Sequence, residues 1–386
     1  MFADRTNWNL DTNRLSRALA QYRASARPLL DLTASNPTEC GFHYDAAAIR
    51  ASLAAEAVLQ YQPEPKGLPS ARAAVAAYYA ERSLAVSIDD ICLSTSTSEA
   101  YSFVFRLLCN PGDEVLVPTP SYPLFDFLAE IQDVRPVRYP LIYDYRWQID
   151  FHSLERAVTP RTRAIVLVNP NNPTGHYCSP SDAAKLNELC AAHRLALIAD
   201  EVFLDFSLAP SAPPTSFAAN SHALTFTMSG LSKIAGLPQM KAAWLVVSGP
   251  ASLKSAALDR LDVIADTYLS MNAPVQHAFP VLLDQRHGFQ RQLMARARKN
   301  LVELDRRLSL QKPCTRLDLG GGWYAVLRVP ATRSDEDFAI QLLEARGVYV
   351  HPGHFYDFQS DGFVVVSLIT PENEFAAGIE RLLAMF

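Results

Sequence analysis

The 386-residue chain reads as an α/β protein, with a mostly parallel sheet flanked by helices in a large domain and a smaller α+β domain after it. Three observations point there. Short apolar runs bounded by turn residues recur at 91–93, 115–117, 164–168, 195–199, 223–228 and 243–247, as buried parallel strands do. Helical patterns at 99–109 and 180–193 lie between some of them, which is the alternation of strands joined by crossovers. From about 266 the alternation stops. Residues 271–308 are largely helical in pattern, and 317–329, 335–344 and 347–353 then read as strand, helix and strand of a smaller unit.

Composition removes several classes of function. Hydrophobic residues make up 49% and charged residues 19%, so a large core is available and long disorder is not expected. Lys and Arg number 35 against 40 Asp and Glu, a net charge of −5, which argues against a nucleic-acid binder. No apolar run approaches the roughly 18–20 residues that a membrane helix needs. The first ten residues lack the apolar stretch of a secretory signal. Cys40, Cys92, Cys109, Cys178, Cys190 and Cys314 are scattered, with no C-x-x-C pair. That argues against a zinc ribbon or a CxxC redox motif, predicts no metal site, and fits reduced thiols in the cytoplasm.

Proline is abundant: 26 Pro against 15 Gly. Two clusters directly follow strand patterns, P-T-P-S-Y-P at 118–123 and N-P-N-N-P-T-G at 169–175. Ligands of parallel sheets bind beyond the carboxyl ends of the strands, so these segments read as stiff site loops rather than linkers. Pro210, Pro213 and Pro214 have no such place and read as ordinary loop prolines.

Five features at strand ends carry possible chemistry, and each also has a plainer reading. Lys233, in S-G-L-S-K, follows a strand pattern; desolvated in a cleft it would be a nucleophilic amine, and otherwise it is a surface lysine. Asp200 closes the 195–199 run and can face a protonated ring nitrogen, or simply cap a helix. Asn172 offers an amide from a proline-stiffened turn, or is just an Asn-Pro turn residue. Thr97 and Ser98, in S-T-S-T-S-E-A (94–100), would open a helix whose backbone N–H groups suit a phosphate, or form only a serine-rich cap. Tyr122 can stack on a flat ring or pack in the core. No G-x-G-x-x-G follows a first strand, and the glycines at 320–322 precede an aromatic strand, so a dinucleotide site is not indicated.

Taken together and in this order, these residues resemble the fold-type I pyridoxal 5′-phosphate enzymes, specifically the class I/II aminotransferases. The matching segments are Y-Q-P-E-P-K-G (61–67), 94–100, P-G-D-E-V-L-V-P-T-P-S-Y-P (111–123), N-P-N-N-P-T-G, A-D-E-V-F (199–203) and G-L-S-K with Lys241 downstream; the likeness runs from about residue 30 to the end. The resemblance implies the pyridoxal-phosphate-dependent transferase fold. It implies that Lys233 holds the cofactor as a Schiff base and shuttles the substrate proton. Asp200 would pair with the ring nitrogen, Asn172 would contact the ring oxygen, and Tyr122 would stack on the ring. Thr97, Ser98 and Lys241 would hold the phosphate, with Tyr61 reaching it from a partner subunit of a homodimer. The implied organisation is an N-terminal segment 1–44 joining the small domain or the partner, a cofactor-binding domain 45–265, and a small domain 266–386. The implied activity is transfer of an amino group from an amino acid or amine to a 2-oxo acid. Alternatives are β-elimination (a C–S lyase) or decarboxylation on the same Schiff base, and a non-catalytic cofactor-binding sensor.

Four positions depart from the pattern. Val365 stands where the family usually has the Arg that clamps the substrate carboxylate. Either another group holds the carboxylate (Ser35, Asn36, His351, His354 or an unplaced Arg) or the donor lacks one. Phe203 stands where a Tyr usually contacts the ring oxygen. Lys241 replaces an Arg at the phosphate, and Gly230 replaces a hydroxyl residue three positions before Lys233.

Overall fold

The computed structural model describes residues 1–208 and 215–386. Pro210, Pro213 and Pro214 lie outside the described residues. The large sheet has eight strands in the order Ile91–Ser94, Ala243–Ser248, Thr225–Gly230, Ala196–Asp200, Thr162–Val168, Glu114–Thr119, Arg135–Asp144 and Arg146–Ile149. The four neighbouring pairs from Thr225–Gly230 to Arg135–Asp144 are parallel. Ala243–Ser248 runs antiparallel to both of its neighbours, and Arg146–Ile149 folds back as a hairpin. The central strands are buried on both faces. In Thr162–Val168, Ile165 and Leu167 enter the core shared with the small domain, while Ala164, Val166 and Val168 enter the core on the other face. This two-sided burial is why the strands read as continuous apolar runs rather than alternating ones.

Helix starts follow local chemistry. Ser96 caps Thr97–Leu108 by accepting from Glu99 N–H at 3.1 Å, and the Glu99 carboxylate reaches back to Thr95 N–H at 2.7 Å, one residue before the position a capping box uses. Ser179 caps Pro180–His193, whose first residue is a proline that needs no donor there. The 271–308 pattern folds as two helices, Ala273–Asp284 and Arg286–Leu308. The helices Arg14–Ala24, Ala46–Leu53, Pro69–Ala80 and Ala251–Tyr268 were not singled out in the sequence; they are rich in alanine, which blurs an apolar stripe.

The small sheet orders Thr315–Arg316, Tyr324–Arg328, Phe363–Ser367 and His351–Pro352, all antiparallel. The N-terminal segment packs on this unit: Leu30–Asp31 pairs with Val348–Tyr349, and Ala18 and Tyr22 pack against Leu343. Helix Ala273–Asp284 instead shares a core with the large sheet, through Val275, Phe279 and Leu282 against Trp244, Val75 and Leu231. This helix, which follows the change of pattern at 266, thus packs on the large sheet. Pattern records local periodicity, not which layer a helix covers. Among the described residues no helix is long and apolar enough to cross a membrane, and all six cysteines are free.

Candidate active site

A cavity of about 310 Å3 opens beyond the ends of the strands Thr162–Val168, Ala196–Asp200 and Thr225–Gly230. Its lining includes Ser35, Thr97, Ser98, Tyr122, Asn172, Asp200, Phe203, Gly230, Lys233 and Tyr324. Most of the residues singled out in the sequence thus meet at one place, although they come from widely separated segments.

Asp200 is the last residue of its strand and is buried. Its carboxylate accepts from the Tyr101 hydroxyl at 3.1 Å and from Val202 N–H at 3.2 Å. Burial pushes its pKa up to about 6; the Val202 N–H, Tyr101 and the charge of Lys233 all oppose that rise. Lys233 lies on the single turn Leu231–Ile234 that follows strand Thr225–Gly230. Burial pushes its pKa down to about 8, with Asp200 opposing. At neutral pH about a tenth of such an amine is uncharged, against roughly a few parts in ten thousand for an ordinary lysine. The amine sits 5.0 Å from the centre of the Trp323 ring and 5.7 Å from that of Phe203. A largely apolar wall thus desolvates the nucleophile while one carboxylate keeps it company.

The Asn172 amide oxygen is buried with no hydrogen-bond partner among the described residues. Such a group costs stability unless a ligand completes it. The loop that carries it is fixed by glycines. Gly175 has φ +69°, and a Cβ there would collide with Leu319 and the carbonyl oxygen of Gly321. Gly321 N–H donates to Gly175 O at 3.0 Å. The run at 320–322 therefore lets the entry to the small sheet cross the Asn172 loop at backbone contact. Thr97 and Ser98 begin their helix, where backbone N–H groups have no acceptor within the helix. Tyr122 is half-buried, edge-on to Phe125 at 6.1 Å, with its hydroxyl pKa raised to about 12, chiefly by burial.

Lys241, Tyr61, Asn36, Val365, His351 and His354 are not brought to the cavity wall. Lys241 precedes the lining residue Ala243 by two positions, but its side chain is exposed. Tyr61 is 78% exposed and lies in a separate hollow with Leu269 and Met271. Asn36 spends its amide oxygen on Thr38, accepting its N–H at 3.2 Å and its hydroxyl at 2.7 Å. Val365 is buried in the core on strand Phe363–Ser367, opposite Val326 and His351. His351 does not line the cavity; it pairs with the Tyr356 hydroxyl at 3.1 Å, and burial lowers its pKa to about 4. Gly230 has a steric explanation: a Cβ there would meet Ala243 Cβ at 2.9 Å and Ala242 O at 3.1 Å, so the neighbouring strand leaves no room for a hydroxyl residue.

Sequence reasoning missed Tyr101, Trp323 and Tyr324. Tyr101 is four residues after Thr97 on the same helix face, a spacing that could have pointed to it. Trp323 and Tyr324 carried no local signal beyond following three glycines.

The sequence matches the family model for aminotransferase class I and II over residues 27–382, and the chain belongs to that family of aminotransferase enzymes. It is 29% identical over 373 residues to the alanine aminotransferase of Mycobacterium tuberculosis, covering 94% of this chain and 86% of that one. It is 31% identical over 264 residues to the glutamate-pyruvate aminotransferase AlaA of Escherichia coli, covering 66% of this chain and 63% of the other. Among solved structures, alanine aminotransferase from Pyrococcus furiosus superposes with a TM-score of 0.89 at 20% identity, covering 100% and 99% of the two chains. Thermus thermophilus aspartate aminotransferase superposes at 0.84 with 22% identity, covering both chains fully. At these identities the superpositions speak for the fold alone.

Proposed function

We propose that the chain uses pyridoxal 5′-phosphate to move an amino group from an amino acid or amine to a 2-oxo acid, as a cytoplasmic homodimer. The observation that carries this reading is the meeting of a depressed lysine, a raised carboxyl and an orphaned amide on one cavity. Bound there, the cofactor would supply an electron sink conjugated to the substrate carbon. Lys233 would hold it covalently and, once released, carry the proton to and from the substrate Cα. Asp200 would pair with the ring nitrogen, and that positive partner would draw its carboxyl back toward the ionised form. Asn172 would donate its amide N–H to the ring oxygen. Tyr122 would lie along the ring, and the N–H groups of Thr97 and Ser98 would take the phosphate.

Phe203 leaves the ring oxygen without a phenolic donor on that side, so Asn172 carries that contact alone. Lys241 would serve the phosphate only if its exposed side chain turns inward. Exposed Leu59 and Tyr61 are consistent with an apolar surface between subunits. The free cysteines support the cytoplasmic placement. The relatives' names make alanine, glutamate and pyruvate the first substrates to try. Reduction of the cofactor-loaded protein with borohydride, followed by peptide mass mapping, tests the assignment. The label is expected on Lys233; a label on another lysine overturns it.

A further inference from the structure

Any 2-oxo acid acceptor brings a carboxylate into the cavity, whatever the donor. Yet among the described residues that line it the charged side chains are Asp200 and Lys233 alone, and neither is a free cation available to that carboxylate. The inference below rests on the aminotransferase reading and identifies what takes the place of a cation. Tyr324 begins the strand Tyr324–Arg328 and lines the cavity, as does Ser35. The backbone locks the two segments together. Ser367, the register partner of Tyr324, donates its N–H to Leu32 O at 2.7 Å and its hydroxyl to Ala34 O at 2.5 Å. The loop carrying Ser35 is thereby pinned to the strand beside Tyr324.

The surroundings of the Tyr324 hydroxyl are polar and neutral. Burial raises its pKa, and the Trp323 indole and the Ser35 hydroxyl, both close enough to act on it, oppose the rise. The Trp323 side chain is fully buried, and its Nε1–H forms no hydrogen bond of ordinary geometry with any described residue, Tyr324 included. The same indole packs 4.9 Å from Phe203 and faces the Lys233 amine, so it lies behind the wall at the Lys233 end of the cavity. The Tyr324 hydroxyl thus has the Trp323 N–H and the Ser35 hydroxyl as its neutral polar neighbours, on the wall of a cavity that must receive an anion.

We propose that Ser35 and Tyr324, backed by the Trp323 indole N–H, form an uncharged cradle that binds the carboxylate of the 2-oxo acid, and of an amino acid donor. Neutral donors bind a carboxylate less tightly than a guanidinium fork does, and they leave the neighbouring Val365 free to remain apolar and packed.

The test uses cofactor-loaded protein with Tyr324→Phe and Ser35→Ala, 2-oxobutanoate as acceptor, and propanoate and propanamide as unreactive inhibitors. For Tyr324→Phe the KM for 2-oxobutanoate and the inhibition constant of propanoate rise together, by about tenfold to a hundredfold, as expected for losing a hydrogen bond to a charged group. The inhibition constant of neutral propanamide moves by less than about twofold, and the absorption spectrum of the bound cofactor stays the same. Ser35→Ala, on an exposed loop, shows the same split at smaller size and stands in should Tyr324→Phe fold poorly. Equal losses for propanoate and propanamide, or no change for either, overturn the cradle. Wild-type protein that aminates no 2-oxo acid overturns the aminotransferase reading itself, and the cradle with it.

Discussion

Replacing Lys233 with methionine should stabilise the cofactor-free protein at neutral pH. The ammonium is held in an apolar wall of Phe203 and Trp323, and its pKa falls from 10.5 to about 8. Each pH unit corresponds to about 1.4 kcal/mol, so keeping the lysine charged in the folded state costs on the order of 3 kcal/mol. Lys233 opens onto the cavity and is not sealed from solvent, which trims the figure to about 2 kcal/mol. Methionine fills similar space without the charge. The sign follows from proton counting. Between about pH 8 and 10.5 the unfolded chain holds a proton that the folded chain has released, so wild-type stability rises with pH across that window. Below pH 8 the penalty is fully present; near 10.5 it is gone. Urea unfolding of both cofactor-free proteins, at pH 7 and at pH 10, measures this. The variant should be more stable at pH 7, and the gap should shrink at pH 10. A Lys233→Met protein that is equally or less stable at pH 7, or a gap that does not change with pH, refutes the claim of a desolvated amine.

Asp200→Asn should also stabilise the cofactor-free protein at pH 7, because the raised carboxyl is ionised above about pH 6 at a cost; the effect should fade as pH falls from 6 toward 3.8, and cofactor affinity should drop. Equilibrium dialysis and denaturant titration separate the two outcomes. Gly230→Ser should destabilise by roughly 1–3 kcal/mol through collision with Ala243, rather than tighten phosphate binding; thermal unfolding with and without cofactor reads both. Gly321→Ala should weaken cofactor binding without touching the cofactor, since its Cβ would strike Tyr177 at 2.5 Å beside the loop of Asn172; affinity equal to wild type would contradict that positioning role. Arg138 bridges Asp126 and Asp357 at 2.8 Å between the large unit and the small one, but all three are partly exposed, so Arg138→Met should cost no more than about 1 kcal/mol, and less at high salt.

The buried strands were legible because both faces are apolar, and their ends told where to look for Lys233, Asp200 and Asn172. The prolines beside Asn172 and Tyr122 marked loops that end up on the cavity. Trp323 and Tyr324 were not legible: they reach the site only because three glycines let their strand cross the Asn172 loop, a contact between segments about 150 residues apart. The packing of helix Ala273–Asp284 was not legible for a similar reason, since its pattern announces a helix but not the layer beneath it. Gly230 looked like a missing hydroxyl until the neighbouring strand showed there was no space for one.

In transamination by the proposed route, this cavity would store an amino group taken from a donor. The direct measurement mixes cofactor-loaded protein with excess L-alanine in the absence of any acceptor, then recovers and identifies the cofactor by mass spectrometry. The cofactor should be converted to its amine form, one per subunit, with release of one equivalent of pyruvate. Free ammonia with the cofactor recovered unchanged, from alanine or any donor that the protein consumes, would contradict that route.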